Sequence, residues 1–352
     1  MTLTFAVRVA LTLLLALAAA LLCVWLRTPV PWMIGPLLST GAASVLGLPT
    51  RSLAPLRNAG QWAIGSALGL YFTPQITTLL ASVWWAIALS VAWALGLGWA
   101  FGWWLQRSQG HRIGGTPREQ RATSYFAGAI GGASEMTVLA EREGGRTDLV
   151  AASHSVRLVI VTILVPFAFT WAGLSGLDAS QQGVRAVNPA GLALLALATL
   201  AGALLLQRTG RSNPWFIGAL LVAMGLTVAG VELSAVPRWM TNAAQLVIGV
   251  SLGVRFSAEF LHAAPQWLGA VAAGTVAMIV LCAGFAAALA WATGLAWPTL
   301  VLGTSPGGIA EMAITAKVLQ LGVPLVTAFQ VCRLVAVLLL VEPLFRWWAR
   351  RH

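Results

Sequence analysis

The chain runs to 352 residues, 59% apolar and 9% charged, where an ordinary soluble domain carries roughly 25% charged residues. That balance excludes a water-soluble enzyme and a disordered chain, and leaves an all-α polytopic membrane protein. The 21 basic and 10 acidic residues give a net charge of +11, but the bases fall singly or in small groups between apolar stretches. The positive-inside rule places them so; a nucleic-acid-binding face does not.

In chain order the apolar segments are 4–26, 30–48, 58–72, 76–105, 122–140, 149–174, 189–207, 214–232, 240–257, 264–293, 297–320 and 322–348. The first, with Arg8 ahead of an Ala-rich run, could pass for a signal peptide, but ahead of so many later spans it reads better as an uncleaved helix. Segment 58–72 is short, and 122–140 and 297–320 are interrupted by Gly, Ser or Pro and contain a Glu. The longest polar stretches are 106–121, which carries Arg107, Arg112, Arg118 and Arg121, and 175–188 at the middle of the chain. Cys23, Cys282 and Cys332 all lie in apolar runs without CxxC spacing, so neither a disulfide framework nor a zinc site is indicated. Tryptophans near segment ends, such as Trp103, Trp104, Trp347 and Trp348, read as interfacial belts.

The chain repeats itself. Pro31-Trp32-Met33-Ile34-Gly35 returns as Pro214-Trp215-Phe216-Ile217-Gly218, and Asn58-Ala59-Gly60-Gln61 as Asn242-Ala243-Ala244-Gln245. Gly131-Gly132-Ala133-Ser134-Glu135-Met136 returns as Gly307-Gly308-Ile309-Ala310-Glu311-Met312, and His154-Ser155-Val156-Arg157-Leu158 as Gln330-Val331-Cys332-Arg333-Leu334. The offsets run 183, 184, 176 and 176, one order with a few insertions or deletions. Two homologous membrane repeats are therefore expected, 1–175 and 186–352, joined by a linker at 176–185, each with about five or six spans. Whether they are parallel or inverted depends on the parity of true spans, which the loop charges leave open.

Ionisable groups at matching depths carry the chemistry. Glu135 and Glu311 each follow a Gly-Gly break, and Arg157 and Arg333 stand inside long apolar stretches. A charge at the bilayer centre costs on the order of 3 kcal/mol or more, so all four should face the protein interior and find partners. One reading is a structural ion pair that fastens each half. The other is a polar site near the bilayer midplane for a small solute, an anion if the arginines set the choice, with the glutamates pairing with them or coupling protons.

Gly131, Gly132, Gly307 and Gly308 favour the second reading. Non-helical backbone at membrane depth is tolerated only where protein or a wet cavity surrounds it, and a helix restarting there directs free N–H groups at the site. Discontinuous helices in corresponding places of two halves are the best sequence pointer to a transporter site. His154 shares a helix face with Arg157; the other copy has Gln330, so His154 reads as a buried, hydrogen-bonded imidazole. Asn58, Gln61, Asn242 and Gln245, followed by Gly65-x-x-x-Gly69 and Gly249-x-x-x-Gly253, read first as close helix packing and second as cavity lining. No phosphate-binding loop, dinucleotide fingerprint, zinc-protease helix or nucleophile elbow occurs. No enzyme activity, catalytic residue, metal or cofactor is expected, and the partners are the lipid bilayer and a small solute, with homo-oligomers compatible and direct nucleic-acid binding not expected.

The paired PW-x-IG, NA-x-Q and GG-x-x-EM strings resemble the duplicated membrane region of the AbrB membrane-protein family, distinct from the small DNA-binding regulator of the same name. The resemblance covers nearly the whole chain. It implies a multi-pass protein of the bacterial inner membrane whose usual label is regulation of gene expression, some members being labelled ammonia monooxygenase. With four scattered histidines (His111, His154, His262 and His352), the oxygenase label lacks the clustered ligands such a metal site needs. Any regulatory effect would be indirect, and a membrane interaction protein without transport is the alternative.

Overall fold

The computed structural model describes residues 4–176, 186–210, 213–256 and 264–349. Most of the 176–185 linker, His262 and His352 lie outside them. Among the described residues every regular element is a helix: α1 (Phe5–Trp25), α2 (Pro31–Val45), α3 (Ala54–Gly69), α4 (Pro74–Ser82), α5 (Trp84–Ile113), α6 (Pro117–Gly128), α7 (Ala133–Arg142), α8 (Thr147–Trp171), α9 (Pro189–Arg208), α10 (Pro214–Val228), α11 (Arg238–Gly253), α12 (Pro265–Thr293), α13 (Trp297–Thr304), α14 (Ile309–Val318) and α15 (Val323–Ala349). Six of these, α1, α5, α8, α9, α12 and α15, are long and apolar enough to cross a bilayer. Several expose leucine and valine, among them Leu14, Leu22, Leu197, Leu205 and Val280, surface that lipid accepts and water does not. The molecule is an all-α polytopic membrane protein with interrupted helices.

The contacts divide the chain into two compact units, and both sequence halves contribute to each. One comprises Met1–Ala81, Val165–Glu259 and Ala313–Pro324; the other comprises Ser82–Leu164, Phe260–Met312 and Leu325–His352. In the first, glycine sets the helix spacing. Gly35 of α2 lies so near α1 that an added Cβ would stand 2.7 Å from the Ala19 carbonyl oxygen, and Gly218 of α10 lies as near α9, 2.5 Å from that of Gly202. The PW-x-IG motif thus ends on the residue that lets two helices touch by their backbones. Gly69 brings α3 onto α10 and Gly253 brings α11 onto α2, with Cβ positions 2.7 Å from the carbonyl oxygens of Leu220 and Leu37. Trp62 Nε1 donates to Thr199 Oγ1 at 3.0 Å and ties α3 to α9.

In the second unit α5 runs on to Ile113, so most of the polar stretch 106–121 is helix and only 114–116 connects α5 to α6. Gly114 and Gly115 stop α5 with φ of 73° each. Thr116 then starts α6: its backbone N–H donates to Glu119 Oε2 at 2.6 Å, and its hydroxyl accepts from the Glu119 amide at 3.3 Å, with Pro117 at the first helical position. The hydrogen bond from the Thr116 backbone N–H, with a smaller contribution from the Thr116 side chain, holds the Glu119 carboxyl below the usual carboxylate range. A depressed folded value means that the ionised group stabilises the helix above its unfolded pKa and loses that effect as pH falls through the folded one. Glu119→Gln should therefore melt earlier than the parent at neutral pH, and the difference should vanish in acid; thermal scans at the two pH values check it. The core between these helices contains Phe126, Met136, Val271, Met278, Val337 and Phe345.

Candidate functional site

Both helix breaks belong to the second unit, which takes in all of α6, α7 and α13 and the first turn of α14 as far as Met312. Helix α6 ends at Gly128 and α7 begins at Ala133; α13 ends at Thr304 and α14 begins at Ile309. Each first half leaves orphan carbonyls pointing into the break, the negative end of a helix dipole. The long helices α8 and α15 each present an arginine to these carbonyls. Arg157 Nη1 donates to Ala127 O and Gly128 O, both at 3.3 Å, and its Nη2 donates to Ala129 O at 2.8 Å. Arg333 Nη1 donates to Ser305 O at 2.6 Å, and its Nη2 to Gly307 O at 2.8 Å. Both arginines are buried. Guanidinium suits this task because its planar fork reaches several carbonyls at once and stays charged.

The residue three positions before each arginine holds the same break. His154 Nε2–H donates to Phe126 O at 2.9 Å, while Nδ1 accepts from Arg157 Nη2 at 2.7 Å. These two contacts define a neutral imidazole with its proton on Nε2. Gln330 Nε2 donates to Leu302 O at 2.7 Å and to Ser305 O at 3.2 Å. Gln330 was noted in the sequence only as the mismatch to His154; its equal spacing from Arg333 was the signal that it does related work.

The GG-x-x-EM string explains itself in the breaks. A Cβ on Gly131 would meet the Met136 thioether, with Cε at 2.8 Å, and one on Gly307 would meet Met312 Cγ at 2.8 Å. A Cβ on Gly132 would fall on the Glu135 carboxylate, and one on Gly308 on that of Glu311. Each first glycine makes room for methionine and each second one for glutamate. The glutamates stand in the first turns of α7 and α14, where a helix dipole favours negative charge. Acids therefore sit at the positive ends of the second half-helices, and arginines at the negative ends of the first. The Gly131 Cβ position is also 3.1 Å from Val337 Cγ1 of α15, and that of Gly308 is 3.1 Å from Leu158 Cδ2 of α8. Each break thus lies against the long helix of the other sequence half.

Eight of the residues singled out in the sequence around the breaks, Glu135, Arg157, Glu311, Arg333 and the four glycines, come together in this unit, as does His154. Asn58, Gln61, Asn242 and Gln245 do not; they lie on α3 and α11 in the other unit, where Gln245 is buried and the neighbouring glycines pack helices. Among the described residues no group of three or more His, Cys, Asp or Glu could hold a metal ion.

The model of the AbrB family, described as "Transition state regulatory protein AbrB", matches residues 32–349. A relative in Bacillus subtilis (strain 168), named "Uncharacterized protein YhjN", is 24% identical over 91% of this chain and 88% of its own length. Another in Escherichia coli (strain K12), named "Putative regulator AbrB", is 27% identical over 88% of each chain. No solved structure matches.

Proposed function

Since the chain belongs to the AbrB family, we propose that it is a bacterial inner-membrane protein in which the paired interrupted helices bind a small solute within the bilayer, as secondary transporters do. The observation that carries this reading is the twofold break in one compact unit, α6–α7 and α13–α14, each lined with a buried arginine. Helices interrupted at matching places of two repeats are the usual scaffold of a midplane binding site, and the four repeated strings support a duplicated membrane region. The carbonyls occupy guanidinium donors and solvate the charge without cancelling it, so an anion is not needed to satisfy those donors.

The regulator name belongs to the Escherichia coli relative. In this chain we read regulation as an indirect consequence of solute binding or flux. A partner recognising bare basic charge on 106–121 is less favoured: Arg118 pairs with Glu143 at 3.4 Å, Arg107 lies 4.2 Å over the Trp103 ring, and Arg121 Nε donates to Pro117 O at 3.2 Å.

The test is counterflow in proteoliposomes supplied with a mixture of small organic acids, amides and amino acids, read by mass spectrometry. The parent protein should accumulate at least one solute, and Arg333→Ala should abolish that accumulation while remaining folded in the membrane. Absence of any binding or flux in folded parent protein overturns the reading. Persistence of an effect on gene expression in a flux-dead Arg333→Ala strain would move the function to the transport-free alternative.

A further inference from the structure

The first break is the tip of a hairpin. Beyond α7 the Arg146 backbone N–H donates to Thr123 Oγ1 at 2.9 Å, and Arg118 Nη2 meets Glu143 Oε2 at 3.4 Å. The end of α7 thus returns to the first two turns of α6, and the pair enters and leaves the unit at one end. The same end holds the last turns of α15, where Arg346 Nε donates to Glu143 Oε1 at 2.8 Å, and the first turn of α12, where Gln266 Oε1 accepts from Arg112. From there the 29 residues of α12 rise about 43 Å and carry the chain to the opposite end. Helix α13 then turns back along α12: Trp297 Nε1 donates to Ala283 O at 3.0 Å, and Thr304 O accepts from Cys282 Sγ at 3.3 Å. The second break is therefore reached from the other end. The order of contacts along α15 agrees. Phe329 Cβ is 3.2 Å from the Gly303 Cβ position, Val337 packs on the Gly131 position, and Arg346 reaches the base of α6–α7.

Every arginine described in this unit apart from Arg157 and Arg333, from Arg107 to Arg346, lies at the end where α6–α7 enters. Basic residues gather on the cytoplasmic side of membrane proteins, which makes that end the cytoplasmic one. Glu143 is only 8% exposed between Arg118 and Arg346. Moving α6–α7 away from α15 would strand its buried carboxylate, a costly step. The offset of 176 between the repeats puts Leu319 in the place of Glu143 and Thr170 in that of Arg346, and neither side chain carries a charge. On the basis of the solute site above, we propose that α6–α7 and α13–α14 are its two gates, the first opening to the cytoplasm and the second to the opposite face, and that Glu143 latches the first shut. The two repeats are then inverted, each break approached from its own face, as alternating access around one site requires. Because the latch is on the cytoplasmic gate, the resting protein opens to the opposite face.

The test labels single cysteines in the full-length protein, its three native cysteines replaced by alanine, with a membrane-impermeant maleimide in membrane vesicles of either orientation. Ser134→Cys, just past the first break, should react from the cytoplasmic face, and Ala310→Cys, its counterpart past the second, from the other. Adding Glu143→Gln should speed the first reaction by about tenfold or more and leave the second within about twofold. Both cysteines reacting from one face, or Ala310→Cys failing to react, overturns the proposal. So does a Glu143→Gln protein that speeds both reactions alike or leaves Ser134→Cys unchanged. Should Glu143→Gln not fold, Arg346→Gln, at a side chain 54% exposed, takes its place with the same outcomes. Should the cysteine-free protein not fold, hydrogen exchange of the parent and Glu143→Gln proteins in lipid nanodiscs decides. Exchange should then quicken across 129–146 and stay within about twofold across 305–318; equal quickening overturns the latch. Labelling from opposite faces in a protein that neither binds nor carries any solute overturns the solute site and leaves the hairpin arrangement standing. Labelling from one face in a protein that carries solute overturns the gates alone.

Discussion

Arg157→Ala is expected to lower the unfolding free energy of the solubilised protein by about 3–5 kcal/mol, the range for removing one member of a buried, hydrogen-bonded charge arrangement. The substitution strips the donor from Ala127 O, Gly128 O and Ala129 O and from His154 Nδ1, leaving the end of α6 with unpaired carbonyls where no water replaces the lost bonds. Arg157→Lys should recover only part of the loss, since one ammonium cannot span the positions that the fork reaches. Arg333→Ala should cost less stability, because Arg333 makes fewer contacts with its break and its Nε is already unpaired. It should cost more in solute binding. Chemical unfolding followed by tryptophan fluorescence ranks the two variants, and a larger loss in Arg333→Ala would contradict the ordering. The ranking also separates two uses of a buried arginine: one locks a helix break, the other locks it incompletely and keeps a donor in reserve.

The glycine pairs at 131–132 and 307–308 made both helix breaks legible, because two adjacent residues with no side chain weaken a helix wherever they fall. The arginines were legible as interior groups, since their depth alone demanded partners. Their partners were not. The sequence spacing invited a match to Glu135 and Glu311, but each guanidinium donates to backbone carbonyls, which every residue possesses and no motif marks. The reach of α5 was misjudged for a related reason. Gln106, Arg107 and Gln109 are polar yet good helix formers, and only Gly114 ends the turn, so polarity marks the membrane boundary there and not the helix boundary. Asn58, Gln61, Asn242 and Gln245 were read first as helix packing and second as cavity lining; chain topology puts α3 and α11 in the other compact unit, which no local string records.

Two glycines of one helix should respond to alanine with opposite signs. On α10, Gly218 faces the backbone of α9: an added Cβ would stand 2.5 Å from Gly202 O, 2.7 Å from Ala203 Cα and 2.8 Å from Ala203 N. None of these atoms can rotate away, so Gly218→Ala must part α9 from α10, at a cost of about 1–3 kcal/mol or more as for other overpacked contacts. Gly225 lies two turns further along, with nothing within 4 Å of its Cβ position. Alanine there meets no obstacle and gains about 0.5–1 kcal/mol from helix propensity and a less flexible unfolded chain. Melting midpoints of the two variants against the parent check the pair, and Gly35→Ala, whose Cβ would stand 2.7 Å from Ala19 O, should follow Gly218→Ala. Equal responses at Gly218 and Gly225 would mean that the backbones of α9 and α10 are further apart than these distances. In that case the last residue of the PW-x-IG string would be a matter of local flexibility and not of helix contact.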